Sequence, residues 1–344
     1  MASEPHPSAS TTTPSHSTTP PPDPPSTPSP PPRHASLLSK LRTLVLRYIL
    51  YLSHRADRTL VRLSALLSSP TSTDALLGTT SYTLSLLHAV LSRVLSTRLT
   101  HLATSLAEKA TPVLLPGEAF VATVPAPPST LRLANTVAAT KALTAVIDDY
   151  RIFVRLWGLA GVYVWARGVW TASLGKEAGT KERWVRRVVW AQIASIVLFQ
   201  VLENGAYLAS KGVLTSAAWS GEDGAKREVR WWMWSSRFWA AYVALELARL
   251  AILRSYNTSL SAGATAEEKD LLGDGEKEGK LLREVRQRED WLWWRDLVSN
   301  LGYMPMTLHW SVEEGRSVLS DWGVSLLGAV AGGALLVDAW RQTA

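Results

Sequence analysis

Near the C-terminal end, sixteen residues from Trp322 to Val337 carry no charge and are held between Asp321 and Asp338. As a helix this run rises only about 24 Å, against a bilayer hydrocarbon core of about 30 Å. Counted from Trp322 to Trp340, with Arg341 just beyond, it reaches about 28 Å, enough to cross with slight local thinning. A crossing or deeply buried anchor is therefore expected. The alternative is a helix broken at Gly332-Gly333 that dips in without crossing.

Three further segments are nearly as apolar, each interrupted by single charges: 152–170 by Arg155 and Arg167, 188–210 by Glu203, and 238–253 by Glu246 and Arg249. A charge near mid-bilayer costs at least about 2.5 kcal/mol on insertion scales. Embedded or deeply interfacial helices fit this pattern better than isolated lipid-facing spans. The fold class expected is all-α and membrane-associated, with amphipathic N-terminal helices, several apolar helices and a Gly-rich C-terminal membrane segment. The sixteen tryptophans and the net charge of +7 agree with a membrane surface as partner. With no cysteine, neither disulfides nor thiolate metal sites are available.

Twelve of the nineteen prolines fall within the first 32 residues, so 1–35 reads as a disordered tail without the apolar core of a secretory signal. Residues 36–110 then carry nine Lys/Arg against three Asp/Glu. In the first amphipathic stretch Leu37, Leu41, Leu44, Tyr48 and Leu52 share one face, with Lys40, Arg42 and Arg47 opposite. In the second, Leu84, Leu87 and Leu91 face one way, and Ser81, Ser85, His88, Ser92 and Ser96 the other. The leucines are expected to insert into lipid and the basic residues to hold anionic headgroups. A Pro-rich linker at 111–130 leads to apolar and amphipathic membrane helices over 131–260. A charged flexible loop at 261–280 precedes a C-terminal unit, 281–344, of helix, turn and anchor.

Tryptophan clusters at 231–239 and 291–294 adjoin charged runs, as interfacial anchors do. Their mixture with Asp and Glu argues against nucleic acid as a partner. Strict phosphate-loop, zincin and hydrolase motifs are absent from the sequence. His309 with Glu313 and Glu314 lacks a partner metal motif, and Asp296, Ser299 and His309 lack the spacing of a triad. No enzyme activity and no cofactor are expected.

The segment RDLVSNLGYMPMTLHWSVEEGRSVLSDWGVSLLGAVAGGALLVDAW resembles the closing region of the peroxin-11 family of peroxisomal membrane proteins. The resemblance is carried by a turn at Asn300, Leu301, Gly302, Tyr303 and Pro305, followed by a Gly-rich segment with Gly323, Gly328 and Gly332. It covers 291–340 with moderate specificity and 36–344 loosely; the Pro-rich tail and the acidic loop are additions. The family's basic cluster beside its N-terminal Tyr is also missing, which leaves open whether the first or the second helix inserts.

This resemblance implies a peroxisomal membrane protein that elongates the membrane and promotes proliferation and fission. It also implies recruitment of fission machinery, a dynamin-related GTPase with its membrane adaptor. Small-xxx-small spacing from Gly328 to Gly332 makes a homo-oligomer the expected assembly. The competing function is a small helical transporter or channel for metabolites, with Glu203, Glu246 and Arg249 lining a polar path. A third is a mitochondrial protein, since 36–62 has the composition of a transit peptide; its place behind a 35-residue tail argues against that.

Overall fold

The computed structural model describes residues 37–110, 126–172, 179–264, 276–313, 315–316 and 318–343. The expected disordered tail, 1–35, lies outside the described residues, as does most of the linker and the middle of the charged loop. Among the described residues the protein is all-α, with no strand. Its helices are α1 Leu37–Leu67, α2 Pro70–Ala110, α3 Pro128–Arg155, α4 Gly158–Thr171, α5 Thr180–Ser210, α6 Gly221–Ala264, α7 Glu276–Trp310 and α8 Asp321–Gln342, with a 3-10 turn at Ala217–Trp219. The chain divides into two units, 1–57 and 58–344, and α1 runs through the division.

In the larger unit each helix lies against its neighbour in a circuit: α3 on α2, α2 on α8, α8 on α7, α7 on α6, and α6 on α5. Polar contacts close the circuit between α3 and α5. Arg155 makes a two-pronged ion pair with Glu203, at 2.9 and 3.0 Å. Asp149 accepts from the Tyr207 hydroxyl at 3.3 Å and pairs with Lys211. α4 packs on α5. The last part of α1 joins this unit through Leu66, which is buried, and through Arg62, which donates to Trp340 O at 2.6 Å and lies over the Trp340 ring. Arg62 thus adds a donor to a carbonyl in the final turn of α8 that also accepts from the Thr343 hydroxyl at 2.8 Å.

Among the described residues two helices, α5 and α8, are long and apolar enough to cross a membrane. α3 and α4 together pass the same test but are bent by 47° at Leu156-Trp157, making a third span or a re-entrant element. The 152–170 segment falls on this bend, and 188–210 lies within α5. By contrast 238–253 lies within the 44-residue α6, which does not qualify by composition. α8 is one continuous helix of 22 residues, about 33 Å long, so Gly332-Gly333 does not break it. Ser320 caps it by accepting from Gly323 N–H, while Asp321 and Arg341 sit at the ends where the helix dipole favours them.

The 300–305 segment corrects the sequence reading: it is not a turn but the inside of α7, Pro305 included. A proline in a helix interior costs about 3 kcal/mol and leaves one carbonyl unpaired. Packing on both sides outweighs that here. Met306 and Thr307 are fully buried, Tyr303 sits 5.6 Å from the Trp239 ring, and Gly302 lets α7 close onto α8. A Cβ at 302 would fall 2.9 Å from Ala331 Cβ and 3.0 Å from Leu327 O.

Candidate functional site

The first candidate surface is the N-terminal part of α1. Every described side chain from Lys40 to Leu60 is exposed, on the leucine face and the basic face alike. Leu41, Leu44 and Tyr48 are each exposed by about three-fifths and Leu52 by 44%. Lys40, Arg42 and Arg47 are exposed opposite them. The Leu37 side chain lies outside the described residues. An apolar stripe this long, left open to water, is a surface awaiting an apolar partner.

α2 is built differently. Its leucine face is turned outward or left half-covered: Leu87 is exposed, and Leu84 and Leu91 are half-buried. Its serine face turns inward onto α3. Ser81 is 1% exposed and donates to Asp148 Oδ1 at 2.6 Å, and His88 Nδ1 meets Val137 O at 3.1 Å. Polar residues in and leucines out is the reverse of a water-soluble helix, and the same inversion runs through the larger unit. Among the described residues the buried set is as often polar as apolar, while Trp157, Tyr163, Val164 and Trp170 of the α3–α4 region are each more than three-fifths exposed.

Between α2, α3 and α7 lies a set of polar groups around the largely covered Arg151, whose carboxylate partners reach the surface. Arg151 donates to Asp74 at 2.8 and 3.3 Å and approaches Asp148 at 3.9 Å. Beside it stand the phenols of Tyr82 and Tyr303; burial pushes both up, and they remain neutral hydroxyls. Gln200 is buried against Gly158 at the α3–α4 bend, and its Oε1 and Asn204 Oδ1 are buried without hydrogen-bond partners among the described residues. The backbone at the bend is tied to α5 by Asn204 Nδ2 donating to Leu156 O at 3.4 Å.

Each charge considered for a transport path has a protein partner. Glu203 is paired with Arg155, and Glu246 accepts from Gln192 at 2.6 Å and pairs with its helix neighbour Arg249. Asp338, whose side chain is 2% exposed, accepts from Arg288, Trp291, Arg295 and Gln342 at 2.6–3.0 Å. These groups knit helices together. The tryptophan clusters do the same: Trp293 donates to Leu250 O, and Trp239 stacks on Trp310. Trp234 and Trp294 remain exposed.

The resemblance residues have structural roles along the α2–α8–α7 seam. Gly328 lies under the Tyr82 ring, and Gly332 lies against Thr79, where a Cβ would meet the hydroxyl oxygen at 2.8 Å. The small-xxx-small stretch is thus used within the chain. Gly323 belongs to the α8 cap, Asn300 donates back to Asp296 O, and Leu301 is exposed. Among the described residues no group of three His, Asp or Glu side chains is placed to hold a metal. His309 instead accepts from Leu319 N–H at 3.1 Å.

The inward polar stripe of α2 and the Asp74–Arg151–Asp148 set were not singled out as a site from sequence. The signal was present in the i, i+4, i+7 spacing of Ser81, Ser85 and His88, which says that the stripe exists but not which way it faces. Comparison with protein-family models, curated proteins and solved structures finds no match in any of the three.

Proposed function

We propose that this chain is a membrane-remodelling protein of the peroxisomal membrane, which elongates the membrane and promotes proliferation and fission. The observation that carries the reading is the leucine face of α1, uncovered from Leu41 to Leu60 and backed by Lys40, Arg42 and Arg47. An amphipathic helix seated about 5–10 Å into one leaflet expands that leaflet, and many copies bend the membrane. Basic residues hold it to anionic headgroups at roughly 1 kcal/mol each. The α5 and α8 helices supply the anchor that keeps α1 at the surface. The mechanism asks for no catalytic group and no cofactor.

The choice between the two amphipathic segments falls on α1, because α2 spends its polar face on α3 and packs Thr79 and Tyr82 against α8. The peroxisomal assignment and the recruitment of a dynamin-related GTPase with its adaptor rest on the resemblance of 291–340. Self-association rests on surfaces other than Gly328 and Gly332. The test is electron microscopy of anionic liposomes carrying the full chain, alongside fluorescent tagging against a peroxisomal marker. Tubulation with peroxisomal signal supports the reading. Solute flux without tubulation, abolished by Glu203→Gln, favours the transporter, and spherical liposomes without flux remove both.

A further inference from the structure

The inward stripe of α2 opens, toward the start of α8, into a cleft of about 750 Å³ walled by α2, α3, the last turn of α7 and the first turn of α8. This lies in the size range of small-molecule sites and is much larger than a bare ion needs. Ser325 of α8 lines it, is 5% exposed, and has no hydrogen-bond partner among the described residues. The residue is buried but its hydroxyl forgoes the usual bond to its own helix carbonyl and is not closed off from the cleft, where a ligand or water can meet it.

The charges of the cleft are not balanced in their pairing. Asp148 is engaged by Ser81 and Arg151, and Asp321 sits in the first turn of α8, where the helix end favours a negative charge. Arg93 on α2 and Lys141 on α3 also line the cleft, and neither makes an ion pair among the described residues. Leu319 N–H donates to His309 Nδ1, which places the ring proton of a neutral His309 on Nε2, a donor on the cleft wall. Two unpaired cations on facing helices, donor side chains between them and a hydroxyl without a partner select an anion with several hydroxyls.

We propose that this cleft binds a phosphorylated polyol, the chemistry shared by an anionic phospholipid headgroup and its soluble counterpart. Arg93 and Lys141 take the phosphate oxygens, and Ser325, with the histidine and serine groups, takes the ring hydroxyls. The cleft lies at the end of a helix able to span a membrane, with Trp310 and Trp322 on its wall, the level at which headgroups sit. The site is separate from α1 and does not depend on membrane remodelling.

The experiment uses the full chain in nanodiscs. In one arm, phosphatidylcholine discs are titrated with soluble inositol bisphosphate by calorimetry; in the other, discs contain phosphatidylinositol bisphosphate and bound lipid is counted by native mass spectrometry. Binding is expected, weakened at least ten-fold by Arg93→Gln or Lys141→Gln, several-fold by Ser325→Ala, and unchanged by Arg230→Gln, an exposed cation on α6 away from the cleft. Both cations are solvent-exposed, so these variants keep the fold. Binding in the first arm assigns the soluble compound, and binding in the second alone assigns the lipid. Absence of binding in both arms, or equal affinity in the parent and the two Gln variants, overturns the proposal.

Discussion

The ring of Tyr82 in α2 lies directly over Gly328 of α8, so closely that a Cβ at position 328 would overlap its Cγ and Cδ atoms. The tyrosine is half-buried, and its hydroxyl end reaches toward the Arg151 network, so the ring has little room to retreat. Gly328→Ala is expected to destabilise the protein by about 1–3 kcal/mol, the cost of overpacking a filled interface. Thermal unfolding in detergent measures it. Adding Tyr82→Ala in the same chain should recover part of the loss, and equal stability of parent and Gly328→Ala would show that the seam is not packed as described.

The Arg155–Glu203 pair makes a second prediction. Glu203 is 5% exposed, and it joins α3 to α5 where the circuit closes. Removing Glu203 leaves the part-exposed Arg155 charge alone, at about 3 kcal/mol, the lower end for a broken buried pair, whereas replacing both by apolar residues of similar volume is often neutral. Glu203→Gln should therefore lower the unfolding temperature sharply, and Arg155→Met with Glu203→Leu should restore much of it. Were Glu203 a transport residue instead, Glu203→Gln would keep its stability and lose flux.

What the sequence revealed depended on how local the deciding physics was. The amphipathic pattern of α1 follows from side-chain periodicity within one segment and could be read without neighbours. The continuity of α8 past Gly332-Gly333, which the sequence left open, is decided where Gly332 packs against Thr79 of α2. Pro305 could not be read locally either, because its place inside α7 is decided by Met306, Thr307 and Gly302 packing against other helices. The direction of α2 was hidden for a related reason. A leucine stripe has the same spacing whether it faces a core or lipid, and only Asp148 on α3 turns Ser81 inward. Likewise the lone charges at Glu203, Glu246 and Asp338 were visible as anomalies in apolar runs, but their partners lie up to fifty-four residues away.

A third prediction concerns the far end of α8. Asp338 receives four donors, from Arg288, Trp291, Arg295 and Gln342. An asparagine keeps the shape but loses the charge, and it offers an amide NH2 where donors already point. Asp338→Asn should cost about 3 kcal/mol, at the lower end for a broken buried pair because the arginines are partly exposed. The unfolding midpoint in detergent tests this. A midpoint unchanged from the parent would mean that the carboxylate is not the clasp between α7 and α8.

The last prediction separates α1 from the helical body. Leu44 is 62% exposed and Leu87 44%, but Leu87 sits on a helix already packed on both α3 and α8. Charge at Leu44 interferes only with what covers α1. Leu44→Glu should therefore abolish liposome tubulation while leaving the unfolding midpoint within about 0.5 kcal/mol of the parent, as expected for a surface change. Lys40→Gln should keep tubulation at low salt and lose it earlier as salt rises, because one headgroup attraction of roughly 1 kcal/mol is removed and screening takes the rest. Leu87→Glu should leave tubulation intact if α1 alone inserts. Tubulation surviving Leu44→Glu but lost in Leu87→Glu would move the active surface from α1 to α2.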